Sequence, residues 1–205
     1  MVLENQEIKI FETYLKRGQK LPFHSHAPHI RYCYSAGSNL HTWKDGTQSV
    51  VVDAPGDWEV RQELDHAVEN VGDHLIHSLI FEFKLPHIPA SVIPLATAKE
   101  WKSALGSSGQ AKKVADNESV LAVDIRVGPN QTVSKRIPPG VIYAFEKSPL
   151  LISSGSPVVA EARLESKTAM WIEGSDCVIR NPSNSVARFL LIQMRRTAPK
   201  IDSKL

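Results

Sequence analysis

A chain of 205 residues, 42% of them hydrophobic, is long enough to bury a substantial core as one large domain or two small ones. A net charge of +2 without any long Lys/Arg run gives no reason to expect nucleic acid or an anionic membrane surface as partner, and small molecules remain. Cys33 and Cys177 stand far apart, and MVLENQEIKI carries neither the basic region nor the apolar core of a leader, so a reducing, cytoplasmic setting is expected. The terminal Ser203-Lys204-Leu205 spells a peroxisomal address if the source is eukaryotic. No apolar run reaches the length needed to span a bilayer.

In chain order, IKIFETYL, HIRYCYS, NLHTWKD, QSVVVDA, DWEVRQ, HAVENV and HSLIFEFK are predicted strands. Each is short, rich in β-branched and aromatic residues, and bounded by Gly, Pro, Asp or Asn, the pattern of an all-β sandwich or barrel. Lys44-Asp45-Gly46-Thr47 is a predicted hairpin turn, because Asp-Gly tolerates the positive φ of a tight turn. A connector then begins with Pro86, Pro89 and Pro94. Within it residues 97–106 read as a short helix: Thr97 and Glu100 have capping-box spacing, Gly106 closes the end, and Trp101 and Leu105 share a face. A second series runs SVLAVDIRV, VIYAF, LLISSG, VVAEARLE, AMWIEG, CVIRN and ARFLLIQMRR. Sliding the chain along itself by 111 positions lays DHAVEN, from Asp65, over DCVIRN, from Asp176, and HSLIFEFK over RFLLIQMR. This is read as a diverged internal duplication, with a first domain at 1–95, a connecting helix at 96–106 and a second domain at 107–205.

The chemistry concentrates in KRGQKLPFHSHAPHIRYCYSAG. His24 and His26 are two apart, so on a strand both imidazoles leave the same face and converge on one ion. His66, in LDHAVEN, is the third expected ligand. Three imidazoles with positions left open make a catalytic-type metal site, whereas a closed structural zinc site needs a fourth protein ligand. The alternative is a set of hydrogen-bonded strand histidines. His29 is off-phase with the first pair on a two-residue period and is read as a rim residue or a substrate-facing acid/base. His41 and His77 are read as ordinary strand positions and Asn70 as a turn cap. Tyr32, Tyr34, Trp43 and Arg31 are pocket candidates, the guanidinium because it forks onto carboxylates. Arg61 is a second such candidate, with a solvated outer face the alternative for both arginines. Cys177 is read as a small buried hydrophobe.

At these positions the chain resembles the cupin superfamily. Gly18, five residues, His24-Ser25-His26, three residues, Ile30, six residues and Gly37 have the spacing of the first cupin motif, and His66 with Asn70 echoes the second. The resemblance implies a bicupin: two jelly-roll β-barrels, the first with a divalent metal in its mouth, the second degenerate. Three positions depart from the pattern. Ile30 fills the slot of the motif glutamate; Arg61 and Glu63 replace the proline and glycine before His66; and the positions matched to His24, His26 and His66 in the second half are Arg136, Pro138 and Cys177. The function expected is a metal-dependent, dioxygenase-like enzyme acting on a small anionic or chelating organic substrate, with a non-catalytic ligand- or metal-binding module as the alternative. Fe(II) is favoured for activity, with zinc, nickel or manganese expected on purification, and a homodimer is expected.

Overall fold

The strands described by a computed structural model, over residues 1–84, 95–145, 147–154 and 161–195, fall into two units, Met1–Leu85 and Pro86–Leu205. The connector prolines Pro86, Pro89 and Pro94 and the terminal Ser203-Lys204-Leu205 lie outside the described residues.

The first unit contains β1 (Leu3–Glu4), β2 (Ile8–Leu15), β3 (Lys20–His26), β4 (His29–Cys33), β5 (Gly37–Trp43), β6 (Gln48–Asp53), β7 (Trp58–Arg61), β8 (Leu64–Asn70) and β9 (Ile76–Phe83). They form two antiparallel sheets, ordered β1-β2-β9-β4-β7 and β3-β8-β5-β6. The β5–β6 hairpin turns where the sequence places it: Gly46 has φ +82°, and the Thr47 N–H donates to Asp45 Oδ1 at 2.9 Å.

The second unit opens with α1 (Ala98–Leu105). Its capping box is formed, with Thr97 N–H on Glu100 Oε2 at 2.7 Å and Glu100 N–H on Thr97 Oγ1 at 3.3 Å. Trp101 and Leu105 are buried in that unit's core. There follow β10 (Gln110–Asp116), β11 (Val120–Val127), β12 (Thr132–Ile137), β13 (Gly140–Ala144), β14 (Leu150–Ser154), β15 (Glu161–Leu164), β16 (Ala169–Ile172), β17 (Ser175–Arg180) and β18 (Ala187–Met194). Their sheets are ordered β10-β11-β18-β13-β16 and β12-β17-β14-β15, the order of the first unit with nine added to every label. The fold is therefore all-β and duplicated, two jelly-roll barrels of cupin type.

The duplication extends to buried polar detail. Asn70 is fully buried, its amide donating to Leu15 O and His74 O at 2.8 Å while its Oδ1 accepts from Gly72 N–H. Asn181 repeats this on Val127 O, Ser185 O and Ser183 N–H. Each amide ties a strand end to the turn beyond it, because a buried carbonyl needs a donor that the local backbone does not supply.

The two interiors differ. Alternation sends every second side chain of a strand inward, so directly paired positions form rows across a sheet. In the first unit one row reads Lys9, Glu82, His29, Arg61 and the next Phe11, Ile80, Arg31, Glu59. The matching rows of the second read Leu121, Gln193, Gly140, Ile172 and Val123, Leu191, Ile142, Met170. A charged interior in one barrel is matched by an apolar, filled one in the other.

Candidate metal centre

The polar interior of the first barrel surrounds a cavity of about 430 Å³ lined from both sheets. β3 and β8 pair with His24 directly opposite His66, and a β-bulge between Leu21 and His24 precedes this point. A bulge adds a residue to one strand and re-aims the side chains beyond it; here Pro22, which has no N–H for the ladder, lies within it. His24, His26 and His66 come together so that one ligand atom from each lies within 4.8 Å of the others.

The hydrogen bonds of the first two rings fix their protons. His24 Nδ1 lies 2.8 Å from Pro22 O, and His26 Nδ1 2.5 Å from Glu82 Oε1. A carbonyl and a carboxylate only accept, so each Nδ1 carries the hydrogen and each neutral ring keeps its lone pair on Nε2. Those two Nε2 atoms are 3.0 Å apart. Two lone pairs at that distance repel unless a metal ion lies against both or one ring takes a second proton and donates its Nε2–H to the other. Nitrogens about 2.1 Å from one ion and at right angles to each other are about 3.0 Å apart. His66 adds a buried Nε2 that has no hydrogen-bond partner among the described residues. The donor set, the outward anchoring of Nδ1 and the orphaned nitrogen all fit a divalent ion.

Burial, reinforced by the neighbouring imidazoles, lowers His66 to about 3, and burial, with Arg31 and Arg61, lowers His41 to about 4. Burial also lowers His29, partly offset by its Nδ1 bond to Ala27 O at 3.0 Å. These rings are held neutral at ordinary pH, the form that ligates or accepts a proton. Burial raises the Glu82 carboxyl, but its hydrogen bond and charge interaction with His26 outweigh this and hold it below the usual glutamate value.

The structure brings His29 into the cavity, its ring 4.9 Å from that of His26. The phase argument that separated them does not apply, because Ala27 and Pro28 break the chain between β3 and β4. Ile30 is fully buried and absent from the cavity wall, whereas His29 and Arg31 beside it face inward. Arg31 lines the cavity, but its guanidinium is already occupied, forked onto Asp53 at 2.5 and 3.0 Å and bonded to Glu59 at 2.8 Å. Arg61 shares Glu59 at 2.6 Å. Tyr32, Tyr34 and Trp43 are not part of the cavity wall. Tyr32 packs on Trp58 and Tyr34, Tyr34 stacks on His77, and Trp43 stacks behind His41.

Two inward residues escape the sequence reading. Glu82 is the one Asp, Glu, Lys or Arg within the apolar strand β9, IHSLIFEF, a sign of a non-core face. His41, read as an ordinary strand position, lies in the cavity wall with its Nδ1 2.9 Å from His66 Nδ1. In the second barrel, strand register places Lys135, Ile137 and Cys177 where the first has His24, His26 and His66. This corrects the match to Arg136 and Pro138, each one position too far along; the 111-position offset itself lands on Lys135 and Ile137. Ile137 and Cys177 are fully buried, and Lys135 turns to Glu100.

No family model matches the chain, and no curated protein resembles it in sequence. Solved structures do resemble it. AerE from Microcystis aeruginosa is 14% identical, with a TM-score of 0.66 over 94% of this chain and 90% of that one. Oxalate decarboxylase from Bacillus subtilis, with Mn(II) centres, is 10% identical, with a TM-score of 0.67 over 94% of this chain and 70% of its own. Salicylate 1,2-dioxygenase from Pseudaminobacter salicylatoxidans is 11% identical, with a TM-score of 0.58 over 92% and 71%. These are bicupins, and at such identities the likeness is one of fold.

Proposed function

We propose that this chain of bicupin fold is a metal-dependent enzyme in which His24, His26 and His66 of the first barrel hold one divalent transition ion. The observation that carries this reading is the pair of Nε2 atoms 3.0 Å apart, with the Nδ1 of each ring bonded to Pro22 O or Glu82. An ion bound there supplies Lewis acidity and open positions for a chelating ligand.

The chain's own residues do the rest. Glu82 holds the Nδ1 proton of His26, which orients the ring and strengthens Nε2 as a donor. Its carboxylate stands one imidazole away from the three nitrogens, which supplies the negative charge missing at Ile30. His29, neutral and with its Nδ1–H on Ala27 O, keeps a basic Nε2 to take a proton from an acidic substrate C–H or O–H. Asp53, behind the wall, and Glu59, within it, balance Arg31 and Arg61, so a small anion meets a pocket without net repulsion from them.

The substrate class is a small anionic chelator, a 1,3-diketone or 2-oxo acid, and the reaction class is dioxygenation with Fe(II). The test is oxygen uptake by iron-loaded protein across a panel of such compounds. Uptake that disappears with a chelator and in His24→Ala/His26→Ala supports the enzyme. Metal-dependent binding of the same compounds without uptake would make the protein a binding module instead.

A further inference from the structure

One proton joins His41 to His66. Their Nδ1 atoms are 2.9 Å apart, so one ring donates and the other accepts. Neither Nε2 has a partner among the described residues, and both atoms are buried. If His41 donates, His66 accepts on Nδ1 and its own hydrogen is forced to Nε2, which then offers no lone pair to an ion. If His66 donates, its Nε2 is free to ligate, and His41, accepting on Nδ1, must carry its hydrogen on Nε2. The two rings therefore exist in one of two matched arrangements, and only the second agrees with a three-histidine site.

We infer that His41 is a positioning residue that fixes the ligating tautomer of His66 and thereby presents its own Nε2–H as the hydrogen-bond donor for an anionic oxygen of the ligand in this cavity. The inference rests on the metal-centred reading of the site. His41 is only 6% exposed, stands in the cavity wall, and is held in plane by Trp43, whose ring stacks on it at 5.4 Å and 26°. An N–H left without an acceptor in such a place is costly, and a ligand that supplies the acceptor relieves that cost. Arg31 and Arg61 line the same cavity but are paired with Asp53 and Glu59, so the positive charge that favours an oxyanion as acceptor there is that of the ion held by His24, His26 and His66. The second barrel has no equivalent, because Cys177 replaces His66 and is fully buried in an apolar core.

The test uses the full chain loaded with Zn(II), which is redox-inert, and oxalate as the anionic probe. Long-range 1H–15N spectra of the imidazoles are expected to show His41 with a pyridine-type Nδ1 and a protonated Nε2, and the Nε2 resonance is expected to move when oxalate is added. His41→Phe is expected to weaken Zn(II) about 10–100-fold. His41→Gln, whose amide both accepts and donates, is expected to recover most of that loss. A protonated His41 Nδ1 in the zinc form, an Nε2 signal indifferent to oxalate, or equal Zn(II) affinity in His41→Phe overturns the inference while zinc binding by His24, His26 and His66 stands. Failure of the wild type to bind zinc at all overturns the metal-centred reading, and this inference with it.

Discussion

Replacing Glu82 separates the contribution of charge from that of shape. The carboxylate accepts the His26 Nδ1 proton at 2.5 Å, with side chains 13% and 11% exposed, so solvent screens the pair little. Glu82→Gln keeps an acceptor oxygen and loses the charge; glutamine is also what the second barrel carries at the matching position, Gln193. A hydrogen bond to a charged group contributes about 1.5–3 kcal/mol and a neutral one about 1 kcal/mol. The difference, about 0.5–2 kcal/mol, corresponds to about 2–30-fold in metal affinity. Glu82→Leu also releases the ring's orientation and is expected near the 100-fold end of the range for such partners. The assay is Zn(II) competition against a chromophoric chelator. Glu59→Gln is the control: Glu59 is another carboxylate of the wall, but it holds Arg31 and Arg61 and no histidine, so its zinc affinity should stay within about threefold of wild type. Zinc affinity unchanged in Glu82→Leu would refute the role given to this carboxylate.

Further outcomes concern stability. Unfolded His41 and His66 take up protons near pH 6.5, while in the fold burial holds them neutral down to about 4 and about 3. Between those values the unfolded state binds more protons, so metal-free protein should lose stability as pH falls from 7 to 5. His41 alone accounts for about 1–3 kcal/mol of this effect. Urea midpoints at pH 7.5, 6 and 5 check it, and a flat profile over that window would contradict the assignment. Asn70→Ala strands two buried carbonyls and an N–H and should cost about 3 kcal/mol by urea unfolding. Asn181→Ala should cost a similar amount, and a loss under about 1 kcal/mol in either would show that the turns do not depend on these amides.

The strands legible in the sequence are those with apolar alternation or apolar runs; IKIFETYL corresponds to β2 from end to end. β3, β10 and β12 are not predicted as elements, because KLPFHSH, QAKKVAD and TVSKRI are dominated by charged and polar residues. They are held as strands by pairing with β8, β11 and β17, which only the tertiary fold supplies. The helix is legible because its caps are local. The histidine pair is legible because two-residue spacing shares a face whatever the strand's neighbours. His29, Glu82 and His41 reach the same cavity from β4, β9 and β5, and no local spacing encodes which strands close a barrel. The counterparts of His24 and His26 are legible as well, since the 111-position offset that lays DHAVEN over DCVIRN also lands on Lys135 and Ile137.

Metal content per chain is the most direct measurement: plasma mass spectrometry on protein purified without a histidine tag, beside the His24→Ala/His26→Ala variant. The expected result is close to one transition ion per chain, lost in the variant. No ion in the wild type after loading with Fe(II), Mn(II), Ni(II) and Zn(II), or an ion retained by the variant, would contradict a three-histidine centre in the first barrel.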